Sequence, residues 1–366
     1  MSTSATSIYN VPPAEPILAH TLLQPSTPAT SQENPPLNSS STWNLKPDID
    51  DGLHSPPPNT FHAGTILGFS RLRGQSSDGN EDELAGDLPR YLLTKWLRNP
   101  QPAPSSSTST PESPKPDSVN IRKSAYIIHP PTSTIFAPTK LLSSLLSHQP
   151  PPSRNKAISH LDAVQLFPVF DFEGVVQAVN EISNRLHNHT PSEADSDNQH
   201  QHPTQTQTQT VLIITGLDTL TEAVVRSSNA IRGAAVLSSL LRTLTSLSRT
   251  HSSTLSILLV NTGGVGPSLY AQNQNQNNTQ THAQFQPPQM NPDLDPGRSS
   301  SGGGGVQSMF NATDTPLFPS LLMKTMDQGI DTHFLVSRVR GGVVVEVVKE
   351  RGGEGAGRWC AWREKD

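Results

Sequence analysis

Two apolar runs enclosing one amphipathic stretch decide what this chain can fold into. Residues 211–214 (VLII) and 255–260 (LSILLV) are short and apolar enough to be buried on both faces of a sheet. Between them Ile231, Ala234, Leu237, Leu241, Leu244 and Leu247 recur at spacings of three and four, so this stretch is a helix with one apolar stripe, and Arg242 and Arg249 fall off it. Ser227–Asn229 supplies polar side chains to cap its start. Strand, crossover helix and buried strand make a parallel α/β unit.

The rest of the chain repeats this alternation. Residues 61–69 (FHAGTILGF) read as a strand and residues 82–97 as a helix, with Leu84, Leu88, Leu92 and Trp96 four apart. Pro89 is expected to kink that helix or to start it one residue later. Strands follow at 125–128 and 164–170, and helices at 138–146 and from Asp171 onward. In the latter, Val175, Val179, Ile182 and Leu186 form the stripe and Asp171 is the N-cap. Near the C-terminus, residues 333–337, 343–348 and 358–362 are three strands joined by glycine-containing turns, the pattern of a meander. The expected class is α/β: a mainly parallel sheet flanked by helices and extended by antiparallel strands. Ile66, Ile127, Ile213 and Leu258 are expected side by side in it.

Composition sets the extent of that core. Only 33% of the 366 residues are hydrophobic and 34 are proline, too little apolar surface to order the whole length. Residues 1–42 are expected to be a disordered tail. Residues 43–366 form one domain, interrupted by low-complexity inserts at 99–120, 188–210 and 263–314. The net charge of −5 provides no general attraction for nucleic acid. Cys360 is the lone cysteine, which excludes an intramolecular disulfide and fits a reducing compartment. No apolar run approaches the roughly 20 residues that span a bilayer, so no membrane role is expected. The N-terminus has neither a secretory nor a mitochondrial pattern, which leaves cytosol or nucleus.

The order of these elements resembles the RecA-type recombinase core, and within it the paralogues of eukaryotic strand-exchange recombinases. Residues 211–220, the SNAIRG at 228–233, residues 255–261, MDQGIDTH at 326–333 and VVEVVKER at 344–351 leading to GRWCAW at 357–362 carry the resemblance. The segment 48–53 before the first strand is similar to the family's lead-in to its phosphate loop. The resemblance implies a RecA-like fold, a nuclear location, and partners among recombinases or their paralogues.

What it implies for ATP chemistry fails residue by residue. A phosphate loop needs G-x-x-x-x-G-K-[ST], whose amides cradle phosphates while Lys and the hydroxyl hold the γ-phosphate and Mg²⁺. Here the matching place runs from Gly68 through Ser70 and Arg71 to Gly74, with the glycines one residue too far apart and no Gly-Lys-Ser/Thr. Where the family's strand ends in a metal-binding acid stands Thr215; residues 129–134 hold no carboxylate to orient water; Asn261 matches a polar residue of the family, and Thr262 stands where a Gln sensor would. The expectation is a vestigial nucleotide site at Gly68, Ser70, Arg71, Gly74, Thr215 and Asn261, with no cofactor and no ATPase activity.

Other candidates have plainer readings. Arg71 and Arg73 read as solvated loop arginines rather than phosphate ligands. Asp218 and Glu222 read as capping or solvating a helix rather than binding metal. Gly68-Phe-Ser-Arg-Leu72 lacks the second glycine of a nucleophile elbow, which excludes that hydrolase design. His187, His189, His200 and His202 read as residues of disordered sequence without supporting partners rather than as an adventitious metal site. Trp359, Cys360 and Trp362 read as packing. Arg338, Arg340, Lys349, Arg351 and Arg358 are the candidate contact residues for DNA or a partner, diluted by Glu346, Glu350 and Glu354. The long loop 263–320 holds only Arg298 as a basic residue, so DNA binding is expected to be weak or confined to a complex. Two further readings stay open: an ATP-inert RecA-fold scaffold like that of the Elongator complex, and an atypical ATPase using Arg71 or Arg73 with Asp218.

Overall fold

The computed structural model describes residues 44–53, 59–73, 81–99, 122–188, 208–266, 306–310, 316–339, 342–352 and 355–362. Within residues 41–366 these form one compact unit. Its centre is a single eight-stranded sheet made of β1 (Ile66–Arg71), β2 (Arg122–His129), β3 (Val164–Pro168), β4 (Thr208–Thr215), β5 (Leu255–Val260), β6 (Thr332–Val339), β7 (Gly342–Glu350) and β8 (Trp359–Trp362). The order across it is β3-β2-β4-β5-β1-β6-β7-β8. The first six strands are parallel, and β7 and β8 add on antiparallel. This α/β class, a mainly parallel sheet flanked by helices and extended by antiparallel strands, is the one expected.

The helices are α1 (Lys46–Asp51), α2 (Glu81–Arg98), α3 (Pro138–Ser147), α4 (Arg154–Leu161), α5 (Phe172–Asn188), α6 (Leu217–Ser227), α7 (Ala230–Thr250) and α8 (Leu321–Gln328). Because side chains alternate along a strand, each strand feeds two cores. Leu67, Phe69, Ile127, Ile213 and Leu258 pack with Leu88, Leu92 and Trp96 of α2. Ile66, Ile128, Leu212, Ile214 and Leu259 pack with α5, α6 and α7 on the other face. The sequence expectation is off by one residue here: Ile127, Ile213 and Leu258 do align, but their partner on β1 is Leu67, and Ile66 points to the opposite face.

Several boundaries also move. Pro89 lies inside α2 without ending it. Its missing amide and ring clash cost about 3 kcal/mol in an isolated helix, and the fully buried Leu88, Leu92 and Leu93 offset that. Residues 208–210 belong to β4, not to an insert, and residues 306–310 pack against the sheet instead of looping away, with Ser308 Oγ donating to Glu346 at 2.6 Å. β3 stops at Pro168, leaving Phe170 83% exposed. Ile231, expected in the α7 stripe, is 76% exposed, because it sits in the first turn before the helix reaches the sheet. The Asn229 and Asp171 caps form as expected, accepting the amides of Arg232 and Gly174 at 2.8 Å each. Among the described residues no helix is long and apolar enough to cross a membrane. The expected tail 1–42 and His189, His200 and His202 lie outside the described residues.

Candidate functional site

In an open α/β sheet the carboxyl ends of the strands, where successive crossovers leave to opposite faces, are the usual place for a ligand. Here α2 leaves β1 for one face, while α5, α6 and α7 cover the other. The site residues of interest therefore gather at the ends of β1, β4 and β5.

Gly68, Ser70 and Arg71 are all part of β1 itself, so they cannot form a phosphate-cradling loop. Gly68 is a packing glycine: a Cβ there would meet Ile330 Cδ1 at 2.5 Å. Gly74 lies outside the described residues. Thr215 closes β4 with its side chain wholly buried and its hydroxyl without a partner among the described residues. Gly216 then turns the chain into α6 with φ of 71°, and a Cβ on it would meet Pro130 Cγ at 2.8 Å. A neutral Thr and a proline thus occupy the ends of β4 and β2, where acids would be needed for metal and water.

The arginines are not solvated, contrary to expectation. Arg73 donates to the carbonyl oxygen of Gly263 from Nε (3.1 Å) and Nη2 (2.7 Å), and to that of Gly264 at 3.3 Å. Arg71 is 8% exposed and packs under Gly264, whose φ of 69° a Cβ-bearing residue would resist. Asp218 meets the first-turn amides of its own helix, as expected, and also reaches across to the turn after β5, accepting the amides of Gly263 (2.5 Å) and Thr262 (3.3 Å). Burial pushes its pKa up, against the opposing pull of the amides of Gly263, Thr262 and Thr219. Together, Arg73 and Asp218 tie down residues 262–264. Glu222 pairs with Arg226 at 2.7 Å. Among the described residues no group of His, Cys, Asp and Glu could hold a metal.

Beneath this turn runs a buried hydrogen-bond chain that the sequence did not announce. Asn261 Nδ2 donates to Ser70 Oγ (2.7 Å), Ser70 Oγ meets His333 Nε2 (2.8 Å), and His333 Nδ1 meets Asp327 Oδ1 (2.9 Å). Lys349 Nζ closes the chain on Asp327 Oδ2 at 3.2 Å. Ser, His and Asp stand here in the atom order of a hydrolytic triad. Ser70, however, has no exposed surface, lies within β1, and already receives the Asn261 amide, so no carbonyl can reach it. The chain holds β5, β1, β6, α8 and β7 in register.

The basic residues proposed for DNA or partner contact do not form one patch. Register places Arg338 opposite Val343, near the β6–β7 turn, whereas Lys349 lies opposite His333 at the far end of the hairpin. Lys349 pairs with Asp327, Arg351 with Asp331 (2.8 Å) and Arg358 with Asp48 (3.0 Å). Arg358 thereby fastens the lead-in segment to β8, beside the Leu45 amide bond to Trp359. Arg340 lies outside the described residues.

No family model and no curated protein matches this sequence. Solved structures do match it. The crystal structure of the RadB recombinase is similar over 82% of this chain and 87% of that one, with 11% sequence identity and a TM-score of 0.40. The fold assignment rests on the strand order, the two helical layers and the antiparallel extension described above.

Proposed function

We propose that this chain is a non-catalytic recombinase paralogue of the eukaryotic type, a nuclear accessory subunit in homologous recombination and DNA repair. The observation that carries the reading is the filled end of the sheet. Thr215 and Pro130 stand where phosphoryl transfer needs carboxylates, and Ser70 and Asn261 are spent on a buried hydrogen-bond chain. Phosphoryl transfer is mostly positioning and charge stabilisation, so losing these contributors together removes the reaction. Arg71 and Arg73, the substitutes an atypical ATPase would use, are drawn into the β5 turn.

Assembly is what remains for such a body. The outer edge of β3 pairs with no strand among the described residues, and Phe170, two residues past its end, is exposed. An open edge with apolar side chains is a template for another chain. Partners would be a recombinase or another paralogue, with DNA bound weakly or only within the complex.

The test has two arms. Millimolar ATP with Mg²⁺ should leave the melting temperature of the purified chain unchanged and release no phosphate; a ligand at 100 times its Kd would add about 2.7 kcal/mol. Affinity purification should recover recombination proteins. Recovery of tRNA-modification subunits would instead support an Elongator-like scaffold, and turnover would support the atypical ATPase.

A further inference from the structure

Among the described residues, positive charge gathers unmatched where the end of α2 meets the starts of β2 and α4. Lys123 on β2 donates to the carbonyl oxygens of Trp96 and Asn99, at 2.6 Å to the latter, and its ammonium lies 5.3 Å from the Trp96 ring centre. Arg98, the last residue of α2, donates to Pro150 O, just ahead of the Ser153 N-cap of α4. Carbonyl partners hold these cations in place without neutralising them. Lys156 and His160 are four apart on α4 and so share one of its faces. Arg98, Lys123 and Lys156 form no ion pair among the described residues, and Asp162, the one acid between positions 150 and 164, pairs with none of them.

Three local preferences are broken here in the same direction. Lys156 sits in the first turn of α4, where the helix dipole favours acids, and that turn holds none. Lys156 and His160 become a like-charged i,i+4 pair whenever His160 takes a proton. Lys123 loses water without gaining a carboxylate, and burial pushes its pKa down to about 8. His160 is held below its ordinary value by burial first, then by Lys156, Lys123 and Arg98, so the four groups share one field. Each departure would be relieved by an anion from outside the chain. Cations kept unopposed on a body of net charge −5 mark a functional surface more than a solvated one.

Ile158 separates the classes of anion. It is the exposed large apolar residue of α4, and at two positions from both Lys156 and His160 it lies on the other side of the helix. The cationic face therefore offers no apolar anchor of the kind that holds a peptide. A nucleic-acid backbone needs none, because phosphate contacts alone supply non-specific affinity. We propose that the phosphodiester backbone of a single DNA strand lies across this face, meeting Arg98, Lys156 and His160 while Lys123 adds charge, a placement that rests on the DNA role proposed above. It puts the contact on α2 and α4, away from the basic residues of the β6–β7 hairpin.

The test titrates the full chain into a fluorescent oligothymidylate of about 20 nucleotides. Binding should have a Kd on the order of 10–100 µM at about 50 mM salt and weaken about tenfold by about 200 mM, the slope of two or three phosphate contacts. Lys156→Glu should weaken it at least about fivefold, and should leave the melting temperature unchanged or higher, since an acid suits that turn. Arg154→Glu makes the same charge change in the same turn but on the Ile158 side, and should weaken binding less than about twofold. The His160 imidazole, assigned in NMR spectra with His160→Gln, should titrate at higher pH once the strand is bound. Equal losses in Lys156→Glu and Arg154→Glu, an unmoved His160 titration, or no binding by the wild type would overturn the proposal. So would displacement by poly-glutamate at equal charge concentration, which would assign the face to an acidic protein, or binding of oligouridylate alone, which would assign it to RNA. A failure to recover recombination proteins in the pull-down would sink the proposed function and leave these titrations unaffected.

Discussion

His333 Nδ1 lies 2.9 Å from Asp327 Oδ1, joining the C-terminal turn of α8 to the sheet strand six residues later. Burial pushes the Asp327 pKa up, but the hydrogen bond from His333 and the charge and hydrogen bond of Lys349 outweigh it, so the carboxyl sits below its ordinary value of 3.8. A depressed carboxyl contributes stability that is complete above the unfolded value and lost as pH falls through the folded one. Urea midpoints of the wild type should therefore decline as pH drops below about 4, and Asp327→Asn should flatten that decline. At pH 7, Asp327→Ala should cost about 3 kcal/mol, because it strands His333 and Lys349. A wild-type acid profile identical to that of Asp327→Asn would show that the pair does not form.

Asp218 shows the opposite sign. Its pKa is raised by burial, so the folded state holds the proton more tightly and stability falls as pH rises from below 3.8 through the folded value. Asp218→Asn keeps an acceptor for one of the two turn amides and turns its NH2 toward the other, and should destabilise less than Asp218→Ala at pH 7. Asp218→Ala leaves the Thr262 and Gly263 amides unmet and should cost about 1–3 kcal/mol. If Asp218 instead served as a metal ligand, Mg²⁺ would stabilise the wild type and not Asp218→Asn.

Gly68 separates a packing glycine from a phosphate-loop glycine. A Cβ there would lie 2.5 Å from Ile330 Cδ1 and 3.0 Å from Cγ2, and Ile330 is fully buried. Gly68→Ala should cost about 1–3 kcal/mol through overpacking. Ile330→Val removes the nearest carbon and alone should cost about 0.5–1.5 kcal/mol. The double variant should be more stable than the sum of the singles implies, which a double-mutant cycle by chemical denaturation reads directly. Strict additivity would mean the two positions do not touch.

The sequence was readable wherever burial was uniform along a strand. Residues 211–214 and 255–260 are buried on both faces, and their apolar runs said so. Arg122–Ser124 and Thr208–Gln209 extend β2 and β4 past the fully buried stretch, where polar residues give no strand signal. α4 escaped notice because it buries only Ala157 and so shows no stripe. The absence of a phosphate-loop lysine after β1 and of an acid closing β4 was legible as missing residue types. What the ends of these strands hold was not: Ser70, Asn261, Asp327 and His333 are up to 263 positions apart and meet only because β1 lies between β5 and β6. Arg71 and Arg73 misled for the same reason, since the turn that engages them follows a distant strand.

Cys360 offers a direct reading of the antiparallel extension. It pairs with Val345 across β7 and β8, inside the core cluster that also holds Trp362, Leu45 and Ile49. Burial pushes its thiol up from 9.0 to about 12, which lowers the thiolate available at a given pH by about a thousandfold. As the lone cysteine of the chain it reports on nothing else. Labelling by a disulfide reagent at pH 8 should be at least a hundredfold slower in the native chain than in urea. Trp362→Ala removes a buried side chain that meets Tyr91 edge-on at 6.1 Å, a loss worth about 3–5 kcal/mol in a core. It should therefore bring the native labelling rate much closer to the unfolded one. A native cysteine that labels as fast as the unfolded one would mean that β8 is not part of the sheet, and that the clasp of Arg358 on Asp48 is not formed.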